Sequence, residues 1–169
     1  MHRKKHPFII ILNLLLFALI LLFYYTNNLV ITIKGISPLL ILPLLAAFSI
    51  FHSPIVSAIV GLIAGIFMDS CVVGSYCFNA ITLLVIAAFV SVSSSNLFNK
   101  NIQSASVLSL ITCAFYYVAL WLCFHNSNVS LTDSLIYLLK YAFPSAIFSS
   151  VFIIPFYFIY KHFHKITSE

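Results

Sequence analysis

Asp69, Asp133 and Glu169 are the only carboxylates in this chain, which makes them the scarcest side chains able to do acid or base chemistry. Two aspartates held close can share a proton, so Asp69 and Asp133 form the minimal set for an aspartic mechanism. Asp133 has a simpler explanation, because Ser130-x-x-Asp133 has the spacing of a capping box at the start of a helix. Asp69 closes a different pattern. Ser57, Gly61, Gly65 and Asp69 recur every four residues, and on a helix they form a slowly drifting stripe along one face. That face carries almost no side chain, so a second backbone can approach it closely, from another helix of the same chain or from a partner protein. The carboxylate at its end either accepts backbone hydrogen bonds that organise the turn before Gly74 or meets a partner directly.

The remaining reactive residues suggest less. Cys71, Cys77, Cys113 and Cys123 lie in or beside apolar segments without the close pairs of a zinc site, so they are expected as small buried residues. His2, His6, His162 and His164 sit among basic residues near the two ends, where solvent or lipid headgroups are the expected neighbours; His52 and His125 lie in separate loops. No metal, cofactor or catalytic residue is expected. The 17 Phe and 9 Tyr are read as packing and lipid-facing groups, so their number does not argue for an aromatic ligand cage.

The elements that must position these residues follow from composition. The chain is 63% hydrophobic and 7% charged, with mean hydropathy +1.14, which no water-exposed globular surface accommodates. Lipid is the expected solvent. A spanning helix needs roughly 20 apolar residues to cross about 30 Å of hydrocarbon, so 169 residues hold about five or six spans with short loops and no separate soluble domain. The spans are expected at 7–25, 36–51, 54–68, 78–92, 104–124 and 135–160, in one domain covering 1–169. The second is expected to be short and bent, because Pro38 opens it and Pro43 interrupts it; a re-entrant hairpin is the alternative for the second and third segments. Pro54 suits the first turn of the third, Tyr116, Tyr117 and Trp121 suit an interfacial end of the fifth, and the sixth contains Pro144 and Pro155.

The basic residues read as topology signals, since they flank apolar runs and form no single polar face for nucleic acid. The first apolar run is long enough to span, and no small-residue cleavage pattern follows Tyr24-Tyr25, so it is read as a span and not a signal peptide. With six spans both termini share a side. Arg3, Lys4, Lys5, Lys100, Lys161 and Lys165 fall there against Lys34 and Lys140 opposite, which places both termini in the cytoplasm. Lys140, just inside the last span, can extend its amine to the outer interface.

The stretch Gly61-Leu62-Ile63-Ala64-Gly65-Ile66-Phe67-Met68-Asp69, followed by Gly74, by Phe78-Asn79-Ala80 and by a long apolar helix, resembles the signature of the MreD family of rod shape-determining membrane proteins. Length, basic N-terminus and span count agree over the whole chain, and the specific part runs from Gly61 to Ala80. Family members carry a glycine two residues before the Asn-Ala pair, where this chain has Cys77. The resemblance implies an all-α integral membrane protein, a compact bundle of six transmembrane helices similar in arrangement to the substrate-binding S components of energy-coupling-factor transporters. It implies a non-enzymatic role in the bacterial cell-elongation machinery, in the cytoplasmic membrane with MreC, near MreB filaments and the peptidoglycan synthases (transglycosylase and penicillin-binding protein). Membrane lipids are further partners and nucleic acid is not. Gly61, Gly65, Asp69, Gly74 and Asn79 are its signature positions, and Ser57 extends the stripe.

Two other classes compete. An S component capturing a vitamin-like ligand would fit the same hydropathy, but those proteins carry an Ala-x-x-x-Ala type surface on the first helix, and Ala18 is the only alanine in the first span here. An intramembrane aspartic protease would use Asp69 and Asp133, yet neither carries the flanking motif of the signal-peptide or presenilin-type enzymes.

Overall fold

The computed structural model describes residues 39–71, 77–96, 101–125 and 136–168, and all regular structure among them is helical. In chain order the helices are α1 (Ile41–Phe51), α2 (Pro54–Cys71), α3 (Phe78–Asn96), α4 (Ile102–Leu120), α5 (Phe143–Val151) and α6 (Ile153–Ser168). A π turn, Trp121–His125, extends α4, and a second, Leu138–Ala142, leads into α5. Three stretches are long and apolar enough to cross a membrane: Phe78–Ser95, Ile102–Cys123 and Leu138–His162, the last running through α5 and α6. Ile41–Phe51 and Pro54–Ser70 are shorter apolar helices. The expected span 7–25, Gly74 and the Ser130–Asp133 cap lie outside the described residues, so the count of six is not established by them.

Helix α1 is the axis of the bundle. Every residue from Ile41 to Ile50 is buried, among α2, α3, α4, α5 and α6. Its 11 residues cover only about 16 Å, roughly half the hydrocarbon thickness. Pro43 does not interrupt it: the proline sits in the first turn, where a missing N–H removes no helical bond. A helix that ends inside an apolar bundle must find partners for its terminal backbone groups. Serines of the surrounding helices supply them. Ser149 Oγ accepts from the Leu39 N–H at 2.9 Å, Ser94 Oγ donates to Ile50 O at 3.1 Å, and Ser91 Oγ donates to His52 O at 2.6 Å. The His52 ring stacks on Phe48 at 3.9 Å with Nδ1 2.9 Å from Phe48 O, closing the C-terminal end. Phe48 and Phe51 then meet Tyr160 and Tyr157 of α6 at 5.9 and 5.6 Å between ring centres.

The regular helix of the last span is interrupted beside its prolines. Pro144 has no N–H and its ring crowds the carbonyl four residues back. The turn just before it is widened, with the Phe143 N–H reaching back to Leu138 O. The second break falls at Phe152, whose N–H bonds Ser149 O at 3.2 Å, and Pro155 then occupies the first turn of α6.

Candidate functional site

Helix α2 has one buried face and one exposed face. Ser57, Gly61, Ala64, Gly65 and Met68 are buried, at helical spacing, while Ile55, Ile59, Ile63 and Ile66 point outward. The glycine stripe lies directly on α3. A methyl group on Gly61 would come within 2.5 Å of Leu83 O and 2.9 Å of Ala87 Cβ. On Gly65 it would fall on the backbone of Ala80, 2.5 Å from Asn79 O and 2.6 Å from Ala80 N. These obstacles are mostly main chain, which cannot swing aside as a side-chain tip can. Of the two readings of the stripe, the structure realises the one in which both glycines pack against another helix of the same chain. Ser57 continues the stripe, and its buried hydroxyl has no hydrogen-bond partner among the described residues.

Asp69 ends the stripe near the C-terminus of α2, beside the start of α3, and caps α3 from outside that helix. Its Oδ1 accepts from the Asn79 N–H at 3.2 Å and from Asn79 Nδ2 at 2.9 Å; its Oδ2 accepts from the Ala80 N–H at 2.9 Å. Asn79 and Ala80 are the second and third residues of α3, the two amides that a side chain at the N-cap position ordinarily serves. The residue beside that start is Cys77, which has no carboxylate and stands at φ 62°. Asp69 also places its charge against the positive end of the helix dipole, so a carboxylate at the edge of an apolar bundle is compensated where it sits. Of its two readings, the backbone bonds match the acceptor one, made to the start of α3; the turn before Gly74 lies outside the described residues.

The network continues inward through Asn79. Its Oδ1 accepts from Tyr116 OH at 2.6 Å, a buried bond, so one amide side chain joins the carboxylate of α2 to the phenol of α4. The carboxylate requires the NH2 group and the phenol proton requires the carbonyl oxygen, which fixes the orientation of the Asn79 amide. Tyr116 therefore corrects an expectation: it is not an interfacial aromatic but a core group, 2% exposed, with Phe78 at 6.1 Å and Tyr117 at 5.8 Å between ring centres. A sequence signal for it exists. Ser109, Thr112, Cys113 and Tyr116 share one face of α4 at helical spacing, and all are buried. Polar groups on one stripe of an apolar helix turn inward.

Chemically, the assembly is a hydrogen-bond relay with a carboxylate acceptor at one end and a phenol donor at the other, tying α2, α3 and α4 together. Gly61, Gly65, Asp69 and Asn79 all belong to this one contact and Ser57 is buried on the same face of α2, whereas Gly74 and Asp133, the other half of the proton-sharing pair, lie outside the described residues. The backbone at Cys77 is in the left-handed region that favours glycine. Of the cysteines, Cys113 is buried as expected, but Cys77 and Cys123 are exposed because they stand at the start of α3 and in the π turn after α4; all three are free thiols. No family model, no curated protein and no solved structure matches this chain.

Proposed function

We propose that this chain is a non-enzymatic, multi-pass component of the bacterial cytoplasmic membrane that binds MreC and helps position peptidoglycan synthesis during cell elongation. The observation that carries the reading is that Gly61, Gly65, Asp69 and Asn79, four positions of the MreD resemblance on two successive helices, meet in one contact between α2 and α3. A signature made of packing and capping residues suits a protein that works by presenting a shaped surface. The three long apolar helices support placement in a membrane.

In this reading the hairpin is the frame and its outer face is the recognition surface. Ile59, Ile63, Ile66 and Phe67 form an exposed apolar strip along α2, matched in chemistry to the membrane anchor of MreC. The same complex would bring the protein near MreB and the peptidoglycan synthases. Depletion in its own bacterium tests the role: rods should round up, and MreC should co-purify from mild detergent. Replacing Ile59 and Ile63 by Trp should weaken MreC recovery while leaving the hairpin packed, since neither side chain faces α3. Rods of normal width, with an ATPase pair co-purifying in place of MreC, would overturn the proposal in favour of a transporter substrate-binding subunit.

A further inference from the structure

Two lysines interrupt the apolar surface of the last span, and each rests on a tyrosine ring. Lys140, in the π turn before α5, places Nζ 5.7 Å from the centre of the Tyr141 ring; Lys161, in α6, places Nζ 5.8 Å from that of Tyr157. Both side chains are exposed. From Tyr141 to Tyr160 there is no charged residue. At 1.5 Å per residue the path between the two lysines covers about 30 Å, the thickness of the hydrocarbon layer. An ammonium on the outside of an apolar helix needs an anion or water, so the two exposed lysines mark two interfaces, while Tyr157 itself is buried against Phe51 of α1.

The protein itself offers few anions: the chain has 3 acidic residues against 8 Lys and Arg, and among the described residues Asp69 is the one carboxylate, bonded to the start of α3. Phosphate is the anion present at both of these depths. We infer that Lys140 and Lys161 bind phospholipid phosphate groups in opposite leaflets and thereby fix the depth of the last span, and with it the bundle, in the bilayer. This rests on the membrane placement proposed above and not on the role in cell elongation. It also locates α1. Ser149, which accepts the Leu39 N–H, lies about 18 Å along the helical path from Lys161, so α1 begins near the middle of the membrane. At that depth no water is at hand for a free N–H, and a serine hydroxyl is the partner it takes.

The test uses the full chain in vesicles of phosphatidylethanolamine and phosphatidylglycerol, with 15N at the lysine Nζ atoms and solid-state NMR dephasing by lipid 31P. Lys140→Met and Lys161→Met keep the apolar stem and should each remove one lysine's share of the dephased signal. Unchanged dephasing in either variant overturns the assignment for that lysine. A thermal unfolding series across acyl-chain lengths adds a readout that needs no variant: stability should peak near a hydrocarbon thickness of about 30 Å, and a peak well below that overturns the inferred depth. Protein that failed to float with the vesicles would overturn the membrane placement itself, whereas protein that floats with no dephased lysine overturns only this inference.

Discussion

The α2–α3 hairpin and the short helix α1 both bury their backbone in an apolar bundle, but by opposite means. In the hairpin, side chains are removed so that main chains approach: Gly61 and Gly65 lie against Leu83 O and the Ala80 backbone. Around α1 the helix is full of large apolar side chains, and its exposed backbone ends are served instead by hydroxyls reaching in from α3 and α5. Only the hairpin carries a charge, Asp69, and it sits at the connected end, between the end of α2 and the start of α3, where capping two amides compensates it. Close backbone contact has little tolerance for added volume, whereas a serine cap can be lost one bond at a time.

That contrast sets the order of the expected effects. Gly65→Leu should be the most damaging, because the new side chain meets main chain; a cost of about 3 kcal/mol or more is expected, read as loss of the folded monomer on size exclusion in detergent. Asp69→Ala should cost about 2 kcal/mol, since it leaves the Asn79 and Ala80 amides uncapped and removes the charge at the helix start, with chemical denaturation in detergent as the measurement. Tyr116→Phe should cost about 1 kcal/mol by removing the donor to the buried Asn79 oxygen, and in a double-mutant cycle it should couple to Asp69→Ala through Asn79. Ser149→Ala at the start of α1 should cost about 1 kcal/mol as well, but without coupling to Asp69→Ala, since the two belong to separate networks. Cys77→Gly is the smallest and the only stabilising change, about 0.5 to 1 kcal/mol, because φ 62° suits glycine; an upward shift of the melting temperature would show it.

The hairpin was far more legible in the sequence than the centre of the bundle. Residues at four-residue spacing declare a helix face, and an acidic side chain at the end of that face in a chain with so few acids declares a purpose. Helix α1 gave no such marks: Leu39 and Leu40 are as apolar as the helix they precede, so hydropathy runs past the point where the helix begins, and Pro43 reads as a break when it is a first-turn residue. Tyr116 was misplaced because an aromatic near a helix end suits either an interface or a core. Only its alignment with Ser109 and Thr112 distinguishes the two. Pro144 and Pro155 are legible as prolines within the last span, while the widened turn at Leu138–Ala142 depends on which backbone bonds the chain then finds.

The most direct test of the central claim, that Asp69 holds the hairpin closed by capping α3, is amide hydrogen exchange at Asn79 and Ala80 in the wild type and in Asp69→Ala. Both amides should be protected in the wild type and exchange about thirtyfold faster in the variant, as expected when a cap worth about 2 kcal/mol is lost, with the middle of α3 unchanged. Equal exchange at both positions in the two proteins would contradict the account.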